Sequence, residues 1–470
     1  MIGVHDDEDL AFLPALELAG LVRSGQVSPV ELVETYLHRI ERLNPLLNAY
    51  LTVAGDQALT AAKEAAPAGQ DASPFFGVPV SIKDLDNAAG IRTTRGSAGY
   101  ADFVPEADDA AVAKLKAAGF IVIGKTNTPE FGSAVCTEPV AYGPCRNPWD
   151  TDRTPGGSSG GAACALAAGL APISHGSDGG GSIRIPSAWC GVFGIKPSRG
   201  RVSAAPLPQS LHSGQGPIAR TVADAAAMLD VMAGYVAGDA FWPPAPSRPF
   251  LEEVGQDPGR LRVAFTASRS ETEVHPDWVA AVKATAELLA DLGHEVVEDA
   301  PPWTPLDPDH PVVKGRAASM AAIAPDLPAF ELLDPINQTF IEVGRTLSVR
   351  DALLCDSIAA TMARSIVAFF DRYDVLLTPT NAVPPPLVGE LRDNEDPWNG
   401  LRKSLLACPF TADWNMTGQP AVSLPLHVDT AGLPVGVQLV GRPAAEATLI
   451  RLSAQLEEAC PWRSRRPAAR

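Results

Sequence analysis

Positive charge is scarce in this chain. Lys and Arg number 37 against 55 Asp and Glu, a formal net charge of −18 over 470 residues. Such acidity repels phosphate backbones and anionic lipid, so neither nucleic acid nor a membrane surface is an expected partner. The one basic cluster, Arg463, Arg465, Arg466 and Arg470, reads as a solvated end. Cysteine is present but unorganised. The seven residues Cys136, Cys145, Cys164, Cys190, Cys355, Cys408 and Cys460 are scattered, without a CxxC pair. That pattern excludes a disulfide framework and a zinc ribbon as expectations. His175, His212, His275, His294 and His310 are isolated in the sequence, so no metal and no cofactor is expected. Long hydrophobic runs are also missing. The longest small-apolar stretch, residues 162–173, falls short of the roughly 20 residues that a bilayer crossing needs. The opening MIGVHDDEDLAF is acidic and lacks the basic start and apolar run of a secretory signal. A reduced, cytoplasmic, soluble protein is the expectation.

What is present fits a large globular fold. The hydrophobic fraction is 46% and the charged fraction 20%, proportions that argue against wholesale disorder. Up to about Ala68 the pattern is helical, with Leu32, Val33, Tyr36, Leu37 and Ile40 at helical spacing and Ser28-Pro29 as a start signal. Val78 to Ile82 reads as a strand that delivers Lys83 at its carboxyl end. A helix from Asp108 to Ala118, closed by Gly119, leads into a buried strand at Phe120 to Ile123. Another unit follows with Leu261 to Phe265, a helix near Trp278 to Leu292, and Glu295 to Val297. The stretch from Pro301 to about Asp351 reads as irregular and apolar. Val375 to Leu377 is strand-like, Val422 to Leu426 and Val435 to Val440 form a hairpin, and a helix runs from about Ala445 to Glu458. The alternation of strands and helices predicts a mostly parallel sheet with covering helices, whose ligand lies beyond the carboxyl ends of strands.

Two motifs mislead. GFIVIGKT, residues 119–126, matches a phosphate-loop pattern. Such a loop needs a turn whose N–H groups face phosphate, whereas Phe120, Ile121, Val122 and Ile123 are a buried strand by composition. Gly156-Gly157-Ser158-Ser159-Gly160 matches a nucleophile elbow, which needs a strand directly before it. The preceding residues 147–155 are polar and contain two prolines. His427, the nominal triad histidine, falls in an alternating hairpin strand.

Three segments carry chemistry. They are Gly77 to Asp84, Gly156 to Gly161, and Gly176 to Pro186, the last followed by Cys190 to Pro197. In the third, a run of glycines ends in Ser182 at the start of a helix. Glycines let successive N–H groups converge on one point, and a helix N-terminus adds partial positive charge. Read alone, this is equally a Gly-rich turn with Ser182 as its N-cap.

Together the three segments resemble the amidase signature family, from about Phe75 to Leu229, and Ser158 and Ser182 meet the family's spacing between its two serines. The resemblance implies an α/β/α sandwich around a large mixed, mostly parallel twisted sheet. It implies an N-terminal helical segment (1–70), a signature core (71–235) and a remainder of the same domain (236–470). That remainder would hold substrate-wall loops at about 300–415 and the C-terminal hairpin and helix. Ser182 is then the nucleophile, Ser158 the bridging serine held by a cis peptide after Gly157, and Lys83 the general base. A lysine accepts a proton only when neutral, so burial without a carboxylate partner must lower its pKa. Asp84 should point away from Ser158, since adjacent strand residues face opposite sides. The oxyanion donors are the N–H groups of Gly179, Gly180, Gly181 and Ser182. Many relatives carry Thr or Ile where this chain has Gly179, which implies a less rigid loop here. Ser159 supports Lys83 or the loop, Asp178 and Arg184 brace the loop as a pair, and Cys190 is core.

The wording around Ser182 resembles the branch holding 6-aminohexanoate cyclic-dimer hydrolases, aryl acylamidases and carbamate-cleaving urethanases. The implied substrate is a small amide, carbamate or ester, and the protein a monomer or homodimer. Amide-oligomer hydrolysis, or a non-catalytic amidotransferase-type subunit, stays open. Val140 to Cys145, Ile323 to Leu333, Thr378 to Thr380 and Trp414 to Met416 are expected around an apolar, roomy pocket with little fixed charge.

Overall fold

The computed structural model describes residues 7–65, 74–207 and 211–468. The expected boundary near residue 70 lies outside these residues, as does Arg470. Eleven strands form one sheet: β1 (Tyr50–Val53), β2 (Pro79–Lys83), β3 (Ile121–Thr126), β4 (Ile173–Asp178), β5 (Phe193–Lys196), β6 (Gly214–Ala219), β7 (Arg262–Phe265), β8 (Glu295–Glu298), β9 (Val375–Pro379), β10 (Ala421–Val428) and β11 (Pro434–Gly441). Their order is β1-β3-β2-β4-β6-β5-β10-β11-β9-β7-β8.

Alternation along the strands explains the layers. Val375 and Leu377 of β9 enter the largest apolar cluster, while Leu376 between them enters a second one with Ile366, Phe369 and Trp414. Ala219 of β6 joins the largest cluster, and its neighbour Ile218 joins Ala162, Ala163 and Cys190. Successive strand residues face opposite sides, so both faces of the sheet are covered by helices and the protein is an α/β fold with an α/β/α arrangement.

The sheet is mixed, but its pairing is not mostly parallel. β3-β2-β4 and β9-β7-β8 pair in parallel at its two flanks. Every pairing from β4 through β6, β5, β10 and β11 to β9 is antiparallel. The reason is local: β6 and the β10–β11 hairpin fill the centre, and β6 gives no strand pattern in its Gly214-Gln215-Gly216-Pro217 start.

Two further expectations are corrected. The first segment is helical at Ala15–Arg23, Pro29–Leu47 and Gly55–Ala65, but it also contributes β1, which pairs antiparallel with β3. The supposed irregular stretch after Pro301 holds helices Pro311–Ile323 and Pro335–Thr346 and the start of Val349–Phe369. Each begins with a recognisable signal. Pro311 and Pro335 occupy first-turn positions, where a missing N–H costs nothing, and Ser348 forms a capping box with Asp351. Val349–Phe369 is also long and apolar enough to cross a membrane by length and composition, which the sequence reading missed. It carries Arg350, Asp351, Asp356 and Arg364.

The misleading motifs resolve as folded elements. Ile121 to Thr126 is strand β3, and Lys125 is buried against Asp84 at 3.6 Å. Of the basic end, Arg463 pairs with Glu17 at 2.7 Å and Arg466 lies over the Phe12 ring, while both arginines stay exposed.

Candidate active site

β2 lies between β3 and β4 and is buried along its whole length. Lys83 is its last residue, at the carboxyl edge where open α/β sheets place ligands. The Lys83 Nζ sits 2.7 Å from Ser158 Oγ and donates to the Ser177 carbonyl at 3.3 Å. Burial pulls the Lys83 pKa down to about 7, and Asp86 and Asp178 oppose that shift from a distance. As expected, no carboxylate forms an ion pair with this lysine; Asp86 and Asp178 act on it only from a distance, and desolvation wins. Asp84 turns the other way. It accepts from the Thr94 N–H at 3.0 Å and from the Thr94 hydroxyl, and faces Lys125.

Ser158 is reached through a cis Gly157–Ser158 peptide. Ser159 follows, and its hydroxyl donates at 3.0 Å to the Ser177 carbonyl, the same oxygen that Lys83 meets. Its N–H donates to the Ser182 carbonyl at 3.1 Å, which ties the two serine segments together. Ser182 follows β4 and precedes the helix Arg184–Cys190. Its side chain makes no hydrogen bond among the described residues. The Lys83–Ser158 link is thus formed and the Ser158–Ser182 link is not; such links often tighten only when substrate binds.

The loop between them is held by one carboxylate. Asp178 accepts from the N–H groups of Gly181 at 2.7 Å, Ile183 at 3.1 Å and Arg184 at 3.4 Å. It also pairs with the Arg184 guanidinium at 2.9 Å, both side chains being fully buried. Burial alone would raise the Asp178 pKa; Arg184, Lys196 and the Asn415 amide reverse this and leave it below the ordinary carboxylate value. Arg184 reaches on to the Thr411 carbonyl, Gln438 and Asn415, and Asn415 returns to the Asp178 carbonyl at 2.8 Å. Thr411 donates to the Gly180 carbonyl at 2.7 Å. The sequence reading missed Asn415 as an anchor, along with Thr411 and Gln438. They lie more than 220 residues from the loop, and no local pattern links them.

One expected donor is corrected. The Gly181 N–H is already given to Asp178, whereas no acceptor among the described residues takes the N–H groups of Gly179, Gly180 or Ser182. Gly181 instead serves by shape. Its φ is +126°, and a Cβ there would lie 2.4 Å from Thr411 Oγ1. Cys190 is buried, with its thiol pKa raised by desolvation, and packs in the apolar cluster of Ala162 and Ile218. His427 lies 2.8 Å from Thr285 and belongs to the hairpin packing.

Ser158, Ser182, Gly179 and Gly180 open onto a cavity of about 460 Å³. Much of its wall falls within the expected range of about 300–415, from Pro311 to Asn415, but the four particular stretches named for it mostly miss. Of the four predicted stretches only Asn415 and Met416 line it. Trp414 instead packs on Trp303 and Phe370, and Thr378 is buried beside Gln438. The walls come from residues 129–138, the helices Pro311–Ile323 and Val349–Phe369, and the segment around Leu391 to Leu405. Phe131, Ile336, Phe340 and Leu401 make it apolar, but Glu130, Arg316, Asp334, Asp356 and Arg392 give it the fixed charge it was expected to lack.

A buried lysine on a serine beside a Gly-rich loop, on a mixed α/β sheet, marks a hydrolase-type centre. The amidase family model matches residues 31–450, and the chain belongs to that family. A Synechocystis sp. protein named as a candidate amidase is 40% identical over 460 residues, 96% of this chain and 89% of its own. Among solved structures, 6-aminohexanoate cyclic dimer hydrolase superposes with a TM-score of 0.91 at 34% identity, covering 97% of this chain and 99% of that one. A bacterial aryl acylamidase of the amidase signature family superposes with a TM-score of 0.85 at 28% identity, covering 96% and 97%. The chain is an amidase-type hydrolase acting on non-peptide C–N bonds.

Proposed function

We propose that the protein hydrolyses amides or carbamates of apolar or aryl character through an acyl-enzyme or carbamoyl-enzyme on Ser182, with esters as side substrates. The observation that carries this reading is the 2.7 Å contact of Lys83 with Ser158 at a cavity shared with Ser182. Neutral Lys83 draws the proton of Ser158, and Ser158 draws that of Ser182 as its oxygen attacks the substrate carbonyl. The oxyanion meets the unused N–H groups of Gly179, Gly180 and Ser182. The proton then returns through Ser158 to the leaving nitrogen, the amine departs, and water repeats the sequence on the acyl group. Ser159 and Lys83 share the Ser177 carbonyl, so Ser159 steadies the lysine; Asp178 and Arg184 steady the loop.

A second reading is favoured by the 0.91 superposition on 6-aminohexanoate cyclic dimer hydrolase: cyclic or linear amide oligomers as substrates. The test is a hydrolysis panel of anilides, carbamates, esters, primary amides and cyclic amides with the purified protein alone. Turnover of anilides or carbamates is expected. Activity on cyclic amides only would favour the second reading, and no turnover at all would contradict both and point to a non-catalytic subunit.

A further inference from the structure

One cation in the cavity has no charged partner. Arg316, on the helix Pro311–Ile323, forms no ion pair among the described residues. Its polar contact is a 3.4 Å hydrogen bond from Nη2 to the Gly132 carbonyl, and its guanidinium lies 5.2 Å from the centre of the Phe340 ring. Gly132 is itself a wall of the serine site, since a side chain placed there would come within 3.1 Å of Ser158 Oγ. Arg316 therefore joins the serine site through Gly132 and lines the same cavity as Ser182.

The other charged walls, Asp356 excepted, are engaged. Arg392 donates to the Glu138 carbonyl and to Asn394 at 2.7 Å. Glu130 accepts from the Asp334 N–H at 2.6 Å and from Asn337 at 2.7 Å, and Asp334 accepts from the Val140 N–H. Asp393 accepts from the Asp396 N–H and from Asn399 at 2.9 Å. Asp356 lines the cavity without coming within ion-pair distance of Arg316. The Arg316 residue is exposed on its helix, no carboxylate acts on its pKa, and the crowding of protein around its guanidinium lowers that pKa. A guanidinium held this way is a fork for a planar anion, and a carboxylate matches it with two parallel hydrogen bonds.

We infer that Arg316 selects substrates carrying a carboxylate near the scissile amide, so that half-amides of dicarboxylic acids and related acidic amides are the preferred class. This rests on the amide-hydrolase reading above. The test compares kcat/KM on succinyl, glutaryl and adipoyl p-nitroanilides with uncharged acyl p-nitroanilides of equal length, for the wild type, Arg316→Met and Arg316→Lys. Wild type should prefer the acidic member at one chain length. Hydrogen bonds to a charged group support a preference of about 10- to 100-fold. Arg316→Met should lose that preference, chiefly through KM, and Arg316→Lys should recover part of it. Equal losses on acidic and neutral members, or a wild type that prefers the neutral ones throughout, would overturn the inference while leaving amide hydrolysis standing. If no anilide is turned over, the anilide-hydrolase reading fails separately. Titrating glutaryl anilide into Ser182→Ala with and without Arg316→Met then decides the anion site: Arg316-dependent binding supports it, and equal or absent binding overturns it.

Discussion

At the scale of single residues, the proposed mechanism turns on a lysine that must lose its proton before it can work. Burial brings Lys83 to about 7 from an ordinary value of 10.5. Below that pKa it is an ammonium and cannot accept from Ser158. The rate kcat/KM on a neutral anilide should therefore rise with pH, about tenfold per unit below 7, and level off above about 8. A flat profile from pH 5 to 9 would contradict this role. Lys83→Ala should also separate substrates. An anilide needs its leaving nitrogen protonated through Ser158, whereas a p-nitrophenyl ester does not, so the anilide should lose several orders of magnitude and the ester markedly less. Equal losses would reduce Lys83 to an activator or a prop. Lys83 and the two serines could be singled out as candidates from sequence because their segments are local. The sequence places Asn415 at the pocket but not as the loop's anchor, and it does not single out Thr411 and Arg316, because only the folded chain brings them to the loop and the cavity.

At the scale of elements, the loop 178–182 joins β4 to the helix Arg184–Cys190 and is built around Asp178. Its glycines are not equivalent. At Gly179 a Cβ would meet its nearest neighbour, Ser213, at 3.9 Å, whereas at Gly181 it would collide with Thr411 and Ile185 in a positive-φ backbone. Gly179→Ala should stay within a few-fold of wild-type kcat. Gly181→Ala should lose about 10²-fold, the scale of a displaced oxyanion donor. The reverse order would show that the loop is not held as described. The expectation of a less rigid loop at Gly179 has a physical counterpart here: rigidity comes from Asp178, Arg184 and Asn415, not from bulk at position 179. Elements with strong local signals, such as β2, β3, the β10–β11 hairpin and the helix Glu446–Ala459, were legible in sequence. The helices after Pro301 were not, because their prolines look like breakers until one sees that they stand at helix starts.

At the scale of the whole molecule, the family, the α/β class and the broad range holding much of the cavity wall were legible, while the share of antiparallel pairing and the particular wall residues were not. Pairing direction depends on crossovers between distant strands, and the walls come from segments spread between residues 85 and 416. The site also has a cost in folding. Unfolded, Lys83 titrates near 10.5; folded, near 7. The unfolded chain binds more protons between these values, so this residue's destabilising effect is complete below about 7 and fades as pH rises to 10.5. Lys83→Met should therefore raise Tm, with the gain largest at pH 6 and smallest near pH 10. A gain independent of pH would mean that the lysine is not held in a desolvated site. Lys196 is buried with a pKa also near 7, so the double variant with Lys196→Met reports the two contributions together.

The central claim is that Ser182 forms the covalent intermediate. Its most direct test is a fluorophosphonate probe, which loses fluoride as a serine oxygen bonds to phosphorus, followed by peptide mass mapping. The account predicts a single adduct on Ser182, slowed when Lys83 is replaced by Ala and absent in Ser182→Ala. An adduct on Ser158 or Cys190, or undiminished labelling of Ser182→Ala, would contradict it.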